Sequence, residues 1–137
     1  MKKPVIIVLI AIAIILIIFV LIGKNKLQNG QQSEYPFETI SMDEAKEIFE
    51  TPGDYIILDV RRPDEYGAGH IPGAINYANE DLVAERPEVL PDLDQRIYVY
   101  CRTGRRSKIA AATLVDMGYT NICEIGGIVD WTGEIEI

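Results

Sequence analysis

A cysteine followed by an arginine-rich turn is the part of this sequence best suited to chemistry. Cys101 follows the apolar run 97–100, and the next six residues include three arginines, a glycine and a serine. Backbone N–H groups of a loop, a helix N-terminus and guanidinium groups each favour a thiolate over a thiol. The stretch therefore predicts a nucleophilic sulfur beside a small anion, with a substrate-binding loop formed by Arg102, Thr103, Gly104, Arg105, Arg106 and Ser107.

Individual residues of this loop have expected roles. Gly104 lets the backbone curl without side-chain clashes, and Ser107 either caps the following helix or donates a hydrogen bond to bound sulfur. Arg102 and Arg106 offer paired N–H donors to an oxyanion such as sulfite. A thiolate that attacks a sulfane sulfur becomes a persulfide and then passes the sulfur to an acceptor nucleophile. Cys101 is therefore the predicted catalytic residue.

The composition limits the cofactors and partners that fit this site. The chain has 137 residues with two cysteines and one histidine, too few for a disulfide framework or a zinc site. We expect no metal site. All 21 acidic residues but only nine of the 13 basic ones follow position 26, so this part carries nine minus 21, or −12, charges. That balance argues against nucleic acid as a partner, and the basic loop within it favours a small anionic ligand.

Four further residues with chemical side chains have structural explanations. Cys123 lies in a short apolar run and is predicted to be a core thiol, with a disulfide to Cys101 as the alternative. His70 lies in a Gly-His-Ile-Pro-Gly stretch that is typical of a turn fixed by the ring. Asp59 and Arg61 lie at the carboxyl end of a buried strand, where they either tie loops together as an ion pair or support the electrostatics of the site.

Alternating strands and helices are predicted to position the loop. The pattern indicates an α/β domain with a central, mainly parallel sheet flanked by helices. Ligands of such sheets bind beyond the carboxyl ends of the strands, which is where Cys101 is expected. The predicted elements are a helix capped by Ser41, strands at 55–60 and 74–77, a helix within 81–88, a strand at 96–100, a helix at 107–117, a strand at 121–125 and a short terminal helix carrying Trp131.

The N-terminal end of the chain differs from the rest. Residues 5–22 contain no charge and are mostly Ile, Val and Leu; as a helix they would be ~27 Å long, close to a bilayer core. We predict a short flank at 1–4, one transmembrane helix at 5–22, a linker at 23–36 and a domain at 37–137. A cleaved signal peptide is the alternative, but no small-x-small cleavage site follows. The soluble domain is expected on the extracytoplasmic side of the membrane.

Several segments together resemble the single-domain rhodanese, or thiosulfate sulfurtransferase-like, family over nearly all of residues 36–132. These segments are ILDVR at 57–61, GHIPGAIN at 69–76, CRTGRRS at 101–107 and EIGGIVDW at 124–131. The resemblance implies a rhodanese-like fold, a sulfur-carrying Cys101 with loop amides around its persulfide, and a reaction without cofactor.

Two classes of function are compatible with these sequence features. The first is an enzyme that moves a sulfane sulfur from a donor such as thiosulfate to a thiol or protein acceptor through Cys101. The second is a sulfur-carrier, redox or protein-binding module that does not turn over. A cysteine phosphatase is disfavoured, because that class spaces its cysteine and arginine as C-x5-R, whereas position 107 here is serine and Arg106 comes one residue early.

Overall fold

The structure, a computed structural model, describes residues 8–18, 35–83 and 85–137. The chain forms a compact unit over Ser33–Ile137 and a separate one over Met1–Gln32. The elements of the first unit are β1 (Glu38–Thr39), α2 (Met42–Phe49), β2 (Tyr55–Asp59), α3 (Pro63–Gly67), β3 (Ile75–Asn76), a 3-10 turn (Asn79–Asp81), β4 (Arg96–Cys101), α4 (Arg105–Asp116), β5 (Ile122–Gly127) and a second 3-10 turn (Ile128–Asp130).

The five strands form one sheet in the order β1-β5-β4-β2-β3, and every pairing between neighbours is parallel. Strand β4 lies at the centre, and its residues from Ile97 to Cys101 are all buried. A strand that is apolar along its whole length belongs in a sheet covered on both faces. The predicted parallel α/β domain is therefore confirmed.

Helices cover both faces of the sheet. Because successive strand side chains point to opposite faces, Val99 joins the core that includes Leu114 of α4. Tyr98 and Tyr100 instead join the core that includes Ala45 of α2. Cys123 belongs to this second core and is fully buried. Burial raises the pKa of its thiol to about 12, so it is an inert core group.

Local sequence signals set the ends of the main helices. The Ser41 hydroxyl accepts from the Glu44 N–H, while the Glu44 carboxylate accepts from the Ser41 N–H, which completes the predicted capping box. Helix α4 ends before Gly118, whose φ of 101° is the left-handed conformation common after a helix. Its start lies two residues earlier than predicted, at Arg105.

Two predicted helices take other forms. Residues 81–88 were expected to include a helix, but the described ones hold only the end of the 3-10 turn that begins at Asn79. The turn is anchored by the Asn79 N–H, which donates to Val60 O at 2.9 Å. The predicted terminal helix is also a single 3-10 turn, and Trp131 follows it. Neither segment has the apolar periodicity that would hold a longer helix against the sheet.

The N-terminal unit is described only over residues 8–18, which form a helix, α1, with exposed apolar side chains. The remaining residues of the predicted transmembrane segment, 5–7 and 19–22, lie outside the described part, as does most of the predicted linker. Among the described residues, no helix is both long and apolar enough to cross a membrane.

Candidate functional site

The candidate site lies at the carboxyl end of β4, where the chain turns into α4. Cys101 is the last residue of β4 and is 1% exposed. Arg102, Thr103 and Gly104 form the turn, and α4 begins at the next residue. The structure thus brings the predicted nucleophile and the predicted loop together at the edge of the sheet where ligands bind in this type of fold.

Backbone N–H groups surround the Cys101 sulfur. The Gly104 N–H donates to Sγ with an N···S distance of 3.0 Å. Burial raises the pKa of the Cys101 thiol, but hydrogen bonds from Ser107, Gly104 and Thr103 outweigh burial, so the pKa lies below its ordinary value. The loop therefore favours the thiolate, which is the nucleophilic form.

Two glycines make this loop geometry possible. Gly104 has a φ of 97°, in the left-handed region that few side chains tolerate, and it serves as the N-cap of α4. Gly127 lies where β5 passes against the loop, and a Cβ there would overlap Arg102 O and lie 2.5 Å from Thr103 Cα. The absence of a side chain at position 127 lets the strand and the loop come into contact.

Ser107 binds Glu124, which was not among the predicted site residues. Its Oγ is 2.5 Å from Oε1 of Glu124, and Glu124 is 1% exposed within β5. A distance this short is typical of a hydroxyl that donates to a carboxylate. Because the hydroxyl has one proton, it cannot donate to Glu124 and to the Cys101 sulfur at the same time. The signal for Glu124 was a charged residue in the middle of an apolar strand.

Arg106 is held at the site by a second carboxylate. Its two terminal nitrogens donate to the two oxygens of Glu65, at 2.7 and 2.8 Å. The hydrogen bond from Arg106 lowers the pKa of Glu65 to about 2, so this carboxylate is ionised in the folded protein. The sequence predicts an oxyanion as the partner of this guanidinium, whereas in the structure each of its terminal nitrogens donates to Glu65.

The other predicted loop cations differ in their surroundings. Arg102 and Arg105 are exposed, and within the described part of the chain no hydrogen bond or ion pair holds either guanidinium. A cleft of about 760 Å³ opens beside the loop, and both Arg102 and Arg106 line it, whereas Arg105 does not. Its lining also includes Arg61, Arg62, Glu65, Glu80, Ile128 and Val129. Arg102 is thus the loop cation best placed to meet an incoming anion.

Asp59 and Arg61 form a buried ion pair at the neighbouring strand end. The Asp59 carboxylate accepts from Nη2 of Arg61 at 2.6 Å and from its backbone N–H at 2.9 Å. The same Nη2 donates to Gly69 O at 2.7 Å, so the pair ties the loop after β2 to the turn that carries His70. The His70 ring stacks on Tyr66 with centroids 3.8 Å apart, which is the structural setting expected for it.

A metal centre has no support in the described residues. Among them, no group of three or more His, Cys, Asp or Glu side chains is arranged to hold a metal ion.

The fold and the loop define a parallel α/β domain built around a cysteine-centred anion loop. The chain belongs to the rhodanese-like domain family, which matches it over residues 41–134.

Relatives in this family include proteins named for sulfur chemistry. The chain is 36% identical over 110 residues to the "Putative sulfur carrier protein YrkF" of Bacillus subtilis, which covers 80% of this chain and 58% of YrkF. It is 37% identical over 73 residues to the thiosulfate sulfurtransferase PspE of Escherichia coli, covering 53% of this chain and 70% of PspE. This chain thus spans little more than half the length of YrkF.

A solved structure shares the fold. It is a Rhodopseudomonas palustris protein of unknown function, described as a "Possible Tyrosine Phosphatase". It matches with a TM-score of 0.65 and 29% identity, covering 73% of this chain and 85% of its own. Proteins similar to this chain are therefore named for two kinds of chemistry, sulfur transfer and phosphatase activity. The residues of the loop are the features that distinguish the two.

Proposed function

We propose that this protein is a sulfurtransferase that works through a persulfide on Cys101. The observation that carries the proposal is the Cys101 sulfur in its cradle of loop N–H groups, with a pKa below the ordinary value of a thiol. A thiolate in such a setting forms more readily than that of an ordinary cysteine and is held in place for attack. The relatives named for sulfur transfer and sulfur carriage support the same chemistry.

With thiosulfate as donor, the reaction proceeds in two displacements. The Cys101 thiolate attacks the outer sulfur of thiosulfate, an S–S bond forms, and the original S–S bond breaks as sulfite leaves with its electron pair. The persulfide anion then lies among the N–H groups that held the thiolate. An acceptor nucleophile attacks the outer sulfur of the persulfide, takes it up, and releases the Cys101 thiolate. No net oxidant or reductant is required.

The loop favours sulfur over phosphate as the transferred group. A phosphatase of this type needs a free arginine to bind phosphoryl oxygens. In the C-x5-R spacing of that class the arginine would stand at position 107, which is serine here, and the neighbouring Arg106 is paired with Glu65 through both of its terminal nitrogens. Arg102 supplies a cation for the sulfonate end of a sulfur donor without displacing an existing ion pair.

Mass spectrometry of the intact protein after treatment with thiosulfate tests the proposal. We expect an adduct with the mass of one sulfur on Cys101 that cyanide or a thiol removes. Cys101→Ser should give no adduct and no turnover. Cys123→Ser is the matched control, because Cys123 is the other cysteine and is buried in the core; it should keep the adduct. Absence of the sulfur adduct on a correctly folded protein would refute the enzymatic proposal.

A non-turnover sulfur carrier is the second candidate, favoured by the name of the relative YrkF. A carrier accepts sulfur from a protein donor and releases it to a protein acceptor. The two candidates separate in a steady-state assay with thiosulfate and cyanide. Continuous production of thiocyanate supports the enzyme, whereas a single equivalent of sulfur loaded without turnover supports the carrier.

We also propose that residues 5–22 anchor the domain to a membrane with the domain on the extracytoplasmic side. The support is the uncharged apolar run in the sequence. Protease treatment of intact cells tests the orientation. Digestion of the domain is expected, and protection until the membrane is broken would reverse the assignment. Recovery of the intact chain in the soluble fraction would refute the proposal that residues 5–22 are an anchor.

A further inference from the structure

Glu124 is a buried carboxylate next to the catalytic loop that the proposed reaction does not use. It lies in β5 and is 1% exposed. Among the described residues, no lysine, arginine or histidine forms an ion pair with it. Its Oε1 is held by two hydrogen bonds, from the Ser107 hydroxyl at 2.5 Å and from the Gly126 N–H at 2.9 Å. A buried carboxylate without a cationic partner is costly, which is a reason to look for a function.

The Ser107 hydroxyl has more acceptors around it than it has protons. Its Oγ is 3.0 Å from Gly104 O and 3.3 Å from Gly126 O, in addition to the 2.5 Å contact with Glu124. A serine hydroxyl donates one hydrogen bond. The carboxylate makes the shortest contact and is the only charged acceptor of the three, so it takes the proton.

The same hydroxyl is also a neighbour of the Cys101 sulfur. Ser107, Gly104 and Thr103 are the residues whose hydrogen-bonding groups lower the pKa of this sulfur, and for Ser107 they include the hydroxyl. Gly104 lies close to both the sulfur and the carboxylate. Its N–H donates to Cys101 Sγ, and a Cβ added to it would lie 3.8 Å from Glu124 Oε1. Ser107 therefore stands between a sulfur and a carboxylate that compete for one proton.

We propose that Glu124 is a positioning residue that takes the Ser107 hydroxyl proton and so leaves the Cys101 sulfur to the backbone N–H groups. The inference rests on the proposed function, since it concerns the nucleophile of that reaction. A thiolate that loses one donor holds a more available electron pair, because nucleophilicity rises with thiol pKa. Glu124 thus makes the thiolate more reactive, while the backbone N–H groups favour its ionised form.

Other charged groups lie near Glu124 and Cys101, and they also influence the titration of the thiol. On the Glu124 side of the loop, a cleft of about 390 Å³ is lined by Asp43 of α2, Lys108 of α4 and Asp130 after β5, with Glu124 itself. On the side of the larger cleft, the Arg106 guanidinium interacts electrostatically with Cys101. None of these residues is altered in the test, so a change in titration reports on position 124.

The test is the pH dependence of Cys101 alkylation by iodoacetamide in the full chain, on a Cys123→Ser background with one thiol. Glu124→Gln removes the negative charge and lets an amide donate to Ser107, which frees the hydroxyl for the sulfur. We expect the midpoint to fall by about one pH unit, as for one added hydrogen bond to a charged group. The rate constant of the fully ionised thiolate should fall about threefold.

Two variants of Ser107 separate this role from a structural one. Ser107→Ala should not raise the midpoint, because the proton it removes is committed to Glu124 in the native protein. In Ser107→Ala, the further change Glu124→Gln should shift the midpoint by less than half of its effect in the native background. A rise of about one pH unit in Ser107→Ala would show that the hydroxyl serves the sulfur, and would overturn the proposal even if Glu124→Gln failed to fold.

Two other results would overturn the proposed role of Glu124. One is an alkylation midpoint that does not change in folded Glu124→Gln. The other is a midpoint shift caused by Glu124→Gln that is equal with and without the Ser107 hydroxyl. The alkylation midpoint is independent of sulfur transfer. Failure of the native protein to gain a sulfur atom would therefore reject the proposed function without deciding the role of Glu124.

Discussion

Replacing Gly127 with alanine should disable the loop through a steric conflict. The added methyl would overlap Arg102 O and lie 2.5 Å from Thr103 Cα and 2.7 Å from Arg102 C. Ordinary contacts between carbon atoms are about 3.5–4.0 Å, so the loop or β5 must move by about 1 Å. All three of these atoms belong to the backbone, so a change of side-chain rotamer cannot relieve the conflict.

That displacement should affect both activity and stability. A shift of about 1 Å can cost about a hundredfold in turnover when it moves a reacting group, and overpacking typically costs about 1–3 kcal/mol in the free energy of unfolding. Because the Gly104 N–H lies 3.0 Å from Sγ, the shift also weakens the hydrogen bond that favours the thiolate. The pKa of Cys101 should therefore rise towards its ordinary value.

Thiocyanate production from thiosulfate and cyanide measures the activity, and urea unfolding measures the stability. Gly67→Ala is the matched control, because a Cβ at that exposed position meets nothing within 4 Å. It should keep native activity and lose no stability. A folded Gly127→Ala protein with native turnover would refute the view that β5 and the loop are packed as tightly as described.

Three further changes have distinct expected results. Asp59→Ala leaves the buried Arg61 without its counter-charge and should lower the free energy of unfolding in urea by about 3–5 kcal/mol; a loss below about 1 kcal/mol would contradict it. Glu65 has a folded pKa of about 2 against an ordinary 4.5, so its contribution to stability is complete above pH 4.5 and is lost as pH falls towards 2. Acid unfolding of Glu65→Gln should therefore depend less on pH in that window, and an unchanged slope would show that the ion pair with Arg106 adds nothing. Arg102→Ala should raise KM for thiosulfate about tenfold with little change in kcat or stability, and a fall confined to kcat would assign the residue to the transition state instead.

The sequence was sufficient to predict the elements whose signals are local. The uninterrupted apolar run before Cys101 predicts the central buried strand, and Ser41 with Glu44 predicts the start of α2. The boundary of α4 was placed too late, because Ser107 looks like a helix cap. The true N-cap is Gly104, whose left-handed conformation performs the turn without a capping side chain.

Contacts set by strand register were beyond local signals. Glu124 meets Ser107 because β5 lies beside β4 in a register that pairs Glu124 with Val99, close to the loop. Which face a residue of β5 presents depends on that register, which the sequence does not reveal. The partner of Arg106 was missed for a similar reason. Glu65 is contributed by α3, and parallel strands bring that helix to the same edge of the sheet as the loop.

The packing of Gly127 against the loop has a consequence for truncated chains. β5 comes after Cys101 in the sequence, so a chain that ends before Ile122 lacks the strand against which the turn packs. We expect such a chain to carry the cysteine without the arrangement of N–H groups that lowers its pKa. The C-terminal strand therefore takes part in forming the nucleophile, although it contributes no reacting atom.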